Sequence, residues 1–368
     1  MEDRNQERFS KKNSESSEGK KPAQGREKRL LLISLFMFLA ALALQAAARA
    51  IPGFGEWYAV TIYPVIVGSV GRLFGIFPFS AVEILLYALI LTAVWYIATH
   101  LRHLRKVLVR ALFLVTGIFL LFTLNCGINY YRKPFSAYLD LDVHQSSKEE
   151  LTSLCEMLTE TINEYCDEGV TAQMSINEAN REGVAAMKRL GEEYPQLAGF
   201  YPRPKPLLWS YLFSVQQLCG QYSPFTVEAN YNREMTAYNI PHTICHELSH
   251  LRGFMREDEA NFIGYLACIE SDSGACQYSG YLTGWVYATN ALAKTDMEAY
   301  RTLCKELDER AWADLRENNE FWAKYDGKAA EVSNQLNDTY LKINSQTDGV
   351  KSYGRMVDLM LAYERKTK

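Results

Sequence analysis

Several motifs that identify common enzyme classes are missing from this sequence. Its 368 residues contain no G-x-S-x-G, phosphate-binding loop or dinucleotide fingerprint, so a serine hydrolase or a nucleotide-dependent enzyme has no support. Eight cysteines are present, but none forms a C-x-x-C pair, and a zinc site built from thiolates is therefore not indicated. The formal net charge of −4 gives no reason to expect a nucleic acid or another polyanion as partner.

Histidine is scarce as well, but two of the six histidines stand in an informative pattern. His246 and His250 bracket Glu247 in an H-E-x-x-H sequence. This spacing places the two imidazoles one turn apart on the same helix face, where they can bind a zinc ion, Zn²⁺. Glu247 would then lie beside the open coordination position, where a carboxylate can take a proton from water and pass it to a leaving amine.

The residues on either side of the motif predict where its helix begins and ends. Pro241 should stand just before the helix, at a position where a missing N–H does no harm, and Gly253 follows His250 by three residues. We expect His242, four residues before His246, to cap this helix or to line the entrance to the site.

The acidic start of the next helical stretch should supply the third metal ligand. Glu257 and Glu259 are two residues apart, about 200° around a helix, so only one of them can face the metal. Glu257 is preferred, because Asn261 then lies one turn later on the same face and could hydrogen-bond a ligand histidine. Glu259 remains the alternative ligand.

The first third of the chain has the composition of a membrane anchor. Residues 1–29 form a polar, basic tail that should be disordered and cytoplasmic. Three transmembrane helices are predicted at about residues 30–48, 79–98 and 107–128. The loop at 100–106 is basic, which also indicates a cytoplasmic position and places residues 129–368 outside the cytoplasm. The stretch at 57–78 is interrupted by Pro64, and we interpret it as interfacial or re-entrant. If it were a true span, residues 129–368 would lie in the cytoplasm instead.

The remaining residues predict a mainly helical domain with a small sheet. A capping box at Ser147 opens a helix that runs to about residue 166, a second helix covers about 176–193, and amphipathic helices follow the metal motif. Strand-like pieces occur at 207–213 and 222–231, and the segment 221–232 is the candidate edge strand for a substrate backbone. The candidate substrate-binding residues are Thr226, Glu228, Asn230, Tyr353 and Arg355.

With these motifs in view, the chain resembles an uncharacterised family of bacterial membrane proteins whose members are similar to gluzincin-type zincin metallopeptidases. The matching blocks are residues 222–230, 241–250, 253–262 and 352–359, with a looser match at 78–83. The resemblance implies a three-span anchor followed by a zincin-like domain, and it names no substrate. It also implies that the third ligand stands four residues before an acidic or amide residue, which corresponds to Glu257 with Asn261; Asn261 replaces the more usual acid.

These observations predict an α+β protein, mainly α with a small β-sheet, whose N-terminal transmembrane helices precede a zincin-like domain. The predicted function is a multi-pass plasma-membrane zinc metallopeptidase that cleaves a peptide or protein substrate. One alternative is a zinc-stabilised membrane sensor or scaffold without turnover. Another is a transport component, for which Glu83 and Arg110 are the only charges in the predicted spans. The lipid bilayer is an expected partner, and the oligomeric state stays open.

Overall fold

A computed structural model of the chain describes residues 20–144, 146–344, 346 and 355–367. The described chain is mainly helical, with one small sheet, as the sequence predicted. It divides into two compact units: residues 1–50 with 85–124, and residues 51–84 with 125–368.

The first unit contains apolar helices that match the predicted spans. Helix α1 covers Lys20–Ala50, and helix α4 covers Leu104–Phe122. The rings of Phe38 and Phe119 are 6.1 Å apart, so these two helices pack against each other. Helix α1 begins ten residues before the predicted span, so the expectation of a disordered tail up to residue 29 is wrong for residues 20–29. Glu27 in this extension forms a 3.1 Å ion pair with Arg105, and residues 1–19 lie outside the described part of the chain.

Three stretches of the described chain are long and apolar enough to cross a membrane: Gly25–Ala50, Phe54–Gly75 and Ala81–Tyr131. The third contains two helices, α3 at Ala81–His100 and α4, which correspond to the predicted spans at 79–98 and 107–128. The Arg110 guanidinium lies 4.6 Å from the centre of the Tyr96 ring, so the chain reverses direction between the two helices. The basic residues of the 100–106 stretch lie at this reversal.

The stretch interpreted as interfacial or re-entrant is a helix, α2, over Phe54–Gly75. Its π-type turns lie at Tyr58–Ile62 and Val67–Gly71. Pro64 follows the first of these turns, and the altered hydrogen bonding there accommodates the missing N–H without ending the helix. Helix α2 belongs to the second unit, where Arg72 lies over the Phe200 ring at 4.2 Å.

Eleven further helices make up most of the second unit within the described residues. Their bounds are α5 Phe135–Tyr138, α6 Lys148–Asp167, α7 Ile176–Glu193, α8 Tyr211–Val215, α9 Asn239–Leu251, α10 Glu257–Ile269, α11 Gly274–Thr295, α12 Met297–Glu306, α13 Glu309–Ala323, α14 Lys328–Ile343 and α15 Met356–Thr367. The predicted capping box at Ser147 is confirmed, and Ser175 forms a second one with Glu178.

The sheet has three short strands in the order β1-β3-β2: β1 Lys205–Pro206, β2 Gly220–Ser223 and β3 Glu228–Tyr231. Strand β1 runs parallel to β3, and β2 runs antiparallel to it with Tyr222 opposite Ala229. The predicted strand at 207–213 is wrong. The Leu208 and Trp209 N–H groups donate to the carboxylate of Glu83 instead of to a strand, and helix α8 follows.

The core of the second unit surrounds helices α9, α10 and α11. Side chains that are completely buried include Ile244, Leu248, Phe262, Leu266 and Leu282. Helix α9 contacts both α10 and strand β3. The metal-motif helix therefore lies in the interior of the unit, and its polar face is held between α10 and the sheet.

Candidate metal centre

The H-E-x-x-H residues lie on α9, which begins two residues before Pro241. Proline is tolerated there because the first turn of a helix has no intrahelical acceptors for its N–H groups. His242 is therefore inside the helix and buried, with its Nε2 atom 3.1 Å from the main-chain oxygen of Asn261. The expectation that His242 caps the helix or lines the entrance is not supported.

The turn after α9 fixes the orientation of His250. Gly253 has φ = 90°, a left-handed conformation that favours glycine, and its N–H donates to the His250 carbonyl at 2.8 Å. The chain then reverses, so that the Phe254 carbonyl accepts a hydrogen bond from His250 Nδ1 at 2.7 Å. Since a carbonyl can only accept, Nδ1 carries the proton and Nε2 is left to bind a metal.

Glu257, the first residue of α10, completes a three-residue group with the two histidines. Its carboxylate oxygens lie 3.3 Å from His246 Nε2 and 3.6 Å from His250 Nε2. All three potential ligand atoms lie within 4.8 Å of one another. Donors on a tetrahedron with bonds of about 2.0–2.1 Å are separated by roughly 3.3–3.4 Å, so this spacing fits zinc coordination.

Glu259 points to a different part of the unit. Its carboxylate accepts the Phe135 N–H at 3.3 Å and forms a 3.3 Å ion pair with Arg256. It therefore holds the first turn of α5 in place. The angular argument from the sequence separated the two acids correctly, and Glu257 is the one beside the histidines.

The charges of the group depend on one another. Burial on its own would raise the pKa of Glu257, but His250 and His246 lower that pKa well below its usual range. Burial on its own would lower the pKa of His250, but the Glu257 carboxylate outweighs it and raises the pKa to about 9. Without a metal, the three-residue group thus contains a buried, ionised carboxylate that attracts cations.

Glu247, the residue after His246, lies against strand β2. A Cβ atom placed on Gly220 would be 2.5 Å from Glu247 Oε1, so only glycine leaves room for this carboxylate. The other oxygen, Oε2, is buried and has no hydrogen-bond partner among the described residues. Burial raises the pKa of Glu247 to about 7, against the lowering effect of the two histidines.

Strand β2 is an edge of the sheet and turns its outer side toward Glu247. The Asn232 N–H donates to the Cys219 carbonyl at 2.7 Å, so Cys219 and Gln221 face β3. In an antiparallel pair, the main-chain N–H and C=O groups of successive residues point alternately toward and away from the partner strand. Those of Gly220 and Tyr222 therefore point away from β3. The Tyr222 N–H accordingly forms a hydrogen bond with Glu247 that lowers the carboxyl pKa.

Four of the five predicted substrate-binding residues have structural partners in the described chain, and the fifth lies outside it. Glu228 is buried and accepts the Ala81 and Val82 N–H groups at 3.1 and 3.0 Å, which caps helix α3. Thr226 donates to the Ser223 hydroxyl at 2.9 Å inside the turn between β2 and β3. Arg355 forms a 3.1 Å ion pair with Asp258, and Tyr353 lies outside the described residues.

The two asparagines predicted for the site differ in their side-chain partners. The Asn230 amide donates to the carbonyls of Gln221 and Glu228, which stabilises the β2–β3 pair. The Asn261 amide nitrogen and His246 Nδ1 are both buried and have no hydrogen-bond partner in the described chain. The predicted hydrogen bond between Asn261 and a ligand histidine thus stays a prediction, since neither the Asn261 amide nitrogen nor His246 Nδ1 has another partner there.

Sequence reasoning did not assign Gly220 or Tyr287 to the site, and it included Tyr222 only as part of the candidate edge strand at 221–232. A glycine at the start of a strand pattern is a weak signal for a close backbone approach, and it could have identified Gly220. Tyr287 on α11 is half-buried, and its pKa is raised by burial and by the charges of Cys219 and Glu257. No local pattern in the sequence distinguishes this tyrosine from its neighbours on α11.

Comparison with known proteins gives a family and no named relative. No curated protein and no solved structure matches the chain significantly. The model of a family described as "Protein of unknown function (DUF3810)" matches residues 58–361, which include most of α2, both helices of the 81–131 stretch, and His246, His250 and Glu257. The chain therefore belongs to the DUF3810 family.

Proposed function

We propose that this chain is a membrane-anchored, zinc-dependent metallopeptidase with a zincin-like domain over residues 129–368. The observation that carries the proposal is the convergence of His246, His250 and Glu257, with Glu247 directly after His246 on the same helix. Two histidines and one glutamate are a ligand set of catalytic zinc sites, which leave one coordination position open. Zinc bound there would supply Lewis acidity, because it polarises a peptide carbonyl and lowers the pKa of water.

The chain's own residues supply the proton transfers and the binding of substrate. Glu247 has a pKa of about 7, which suits a group that accepts a proton from water and then donates it to the leaving amine. The outward main-chain groups of Gly220 can pair with an extended peptide laid along β2. His250 is held by Phe254, which keeps its Nε2 atom directed at the metal position.

Replacement of Glu247 by glutamine separates catalysis from metal binding. The Glu247→Gln variant should keep the zinc content of the wild type and lose peptide cleavage by about 10²–10⁴-fold, because the base is removed while the ligands remain. Cleavage would be measured on the purified full-length chain with a mixed-sequence fluorogenic peptide library. Unchanged cleavage in the variant contradicts the mechanism. Zinc content without cleavage in the wild type favours the alternative, a zinc-stabilised sensor or scaffold.

The structure gives less support to the alternative of a transport function than to a metallopeptidase. Glu83 accepts two main-chain N–H groups of the second unit, at 2.8 and 2.9 Å. The Arg110 guanidinium lies over the Tyr96 ring. Both charges proposed for a pathway through the membrane thus have structural partners within their own units.

We further propose that the domain lies outside the plasma membrane. The basic residues at the α3–α4 reversal and those at the start of α1 support a cytoplasmic position for these two points. Helix α2 belongs to the second unit and contacts it through Arg72, which supports the interfacial interpretation over a fourth crossing. In intact cells, a membrane-impermeant maleimide should label Met297→Cys in a Cys219→Ser, Cys304→Ser background. Labelling only after cell lysis contradicts this orientation.

A further inference from the structure

Two exposed apolar loops of the second unit lie side by side next to the start of helix α3. One is the turn between α2 and α3, residues 76–80, and the other is the segment that precedes and enters α8, residues 207–212. Their exposed side chains are Ile76 (76%), Phe77 (40%), Leu208 (49%), Trp209 (55%), Tyr211 (50%) and Leu212 (38%).

Buried charged groups connect the two loops. The Glu83 carboxylate in the first turn of α3 accepts the main-chain N–H groups of Leu208 and Trp209. Lys205 lies two residues before the 207–212 loop, and its buried ammonium group donates a hydrogen bond to the Phe77 carbonyl. Glu228, also buried, caps the first turn of α3. The six side chains thus belong to one surface with a fixed position relative to the beginning of α3.

The order of the segments along the chain indicates which environment this surface contacts. The 76–80 turn stands between two stretches that are each long and apolar enough to cross a membrane, Phe54–Gly75 and Ala81–Tyr131. Whether α2 crosses the bilayer or lies along its surface, a turn that leads directly into a membrane helix lies at the boundary between lipid and water. The 207–212 loop is tied to that turn, so it lies at the same boundary.

The composition of the surface suits that boundary. Tryptophan and tyrosine are enriched at membrane–water interfaces because each ring has an apolar body and a polar tip. The 207–212 loop offers both, flanked by two leucines, and it exposes no charged side chain between Leu207 and Leu212. Exposure of an apolar cluster of this kind to water would be unfavourable.

The geometry points to a lipid-docking surface formed by residues 76–77 and 208–212, which seats the second unit on the interfacial region of the bilayer beside α3. This inference does not depend on the proposed peptidase activity. It assigns the surface to phospholipid and not to a second copy of the chain.

Photochemical cross-linking in the full-length chain tests the assignment. Trp209 or Ile76 would be replaced by photoreactive benzoylphenylalanine, and the protein would be reconstituted in radiolabelled phosphatidylcholine vesicles. The matched controls are Met297 and Val332, which are exposed apolar residues of the same unit at 47% and 54% exposure. Positions 76 and 209 should give several-fold more lipid adduct than positions 297 and 332. Equal lipid labelling at all four positions, or adducts mainly between two chains, would overturn the assignment.

A conservative variant gives an independent readout if the photoreactive residues impair folding. Brominated phospholipids quench tryptophan fluorescence only at close range. They should therefore quench a larger fraction of the wild-type emission than of the Trp209→Phe emission. An equal or larger quenched fraction in the variant would show that Trp209 is no closer to lipid than the average of the other tryptophans, and would overturn the proposal.

Discussion

The hydroxyl groups of Tyr63 and Tyr222 lie 2.8 Å apart and are buried. This hydrogen bond joins helix α2, one of the apolar stretches near the N-terminus, to the edge strand that adjoins Glu247. The Arg72 guanidinium over the Phe200 ring is a further contact between α2 and the rest of the second unit. Tyr222 also donates to the Asn125 carbonyl at 3.3 Å, so the strand is held from two sides.

We expect this pair to contribute measurably to stability. Tyr63→Phe and Tyr222→Phe each leave a buried hydroxyl without its partner, and each should lower the free energy of unfolding by about 1–2 kcal/mol. The double variant should lose less than the sum of the two, with a coupling energy of about 0.5–1.5 kcal/mol. Thermal unfolding of the detergent-solubilised chain measures all three. Strict additivity would show that the hydroxyl groups do not interact.

Gly220→Ala should impair catalysis without removing the metal. The added Cβ would stand 2.5 Å from Glu247 Oε1 and 2.9 Å from the Asn230 carbonyl, so the carboxylate or the strand has to move. Because small misplacements of a catalytic group are costly, we expect cleavage to fall by about 10²-fold while the zinc content stays constant. Gly327→Ala is the matched control, since its added Cβ meets nothing within 4 Å. Equal activity in both variants would argue against the placement of Glu247.

Zinc affinity should depend on pH through His250. In the metal-free protein burial would lower the pKa of His250, but Glu257 raises it to about 9. Zinc must therefore displace one proton below that pH, and the affinity should fall about tenfold for each pH unit of acidification. Competition with a chelator of known pH-dependent affinity, measured between about pH 6 and 9, gives the slope. A flat profile would mean that His250 is not a ligand or is already neutral.

The stability of the domain should depend on pH through Glu259. Burial raises its pKa to about 7 from a usual value near 4.5. Between these two values the folded state holds a proton that the unfolded state has lost, so stability falls as the pH rises through this window, by up to about 3 kcal/mol. Glu259→Gln stays neutral and keeps an acceptor for the Phe135 N–H.

The variant should therefore have a higher melting temperature than the wild type at about pH 8 and should approach it near pH 4.5. Metal content provides the control, because Glu259 does not contact the histidines. A melting-temperature difference that is independent of pH would show that the Glu259 carboxyl titrates normally in the folded chain.

Local patterns in the sequence were sufficient to predict that the side chains of His246, His250 and Glu257 come together. His246 and His250 share a helix face by periodicity, Gly253 ends that helix by its left-handed conformation, and the 200° separation of the two acids distinguishes Glu257 from Glu259. Each of these inferences depends on spacing within one helix or one turn. The capping box at Ser147 was predictable for the same reason.

The positions that sequence reasoning misjudged are decided by contacts between distant segments. The polar side chain of Glu228 looked available for a substrate, but it caps α3, which precedes it by almost 150 residues. The 207–213 stretch has strand-like composition, yet its N–H groups donate to Glu83, which is distant in sequence. Gly220 matters because α9 places Glu247 against it. No local pattern specifies these partners.

The metal content of four purified full-length proteins tests the central claim most directly: wild type, His246→Ala, Glu257→Ala and Glu259→Ala. We predict about one zinc ion per chain in the wild type and in Glu259→Ala, and a strong loss in the other two, because only His246 and Glu257 belong to the group with His250. A wild-type chain without bound zinc, or a loss in Glu259→Ala with retention in Glu257→Ala, would contradict the metal centre described for this chain.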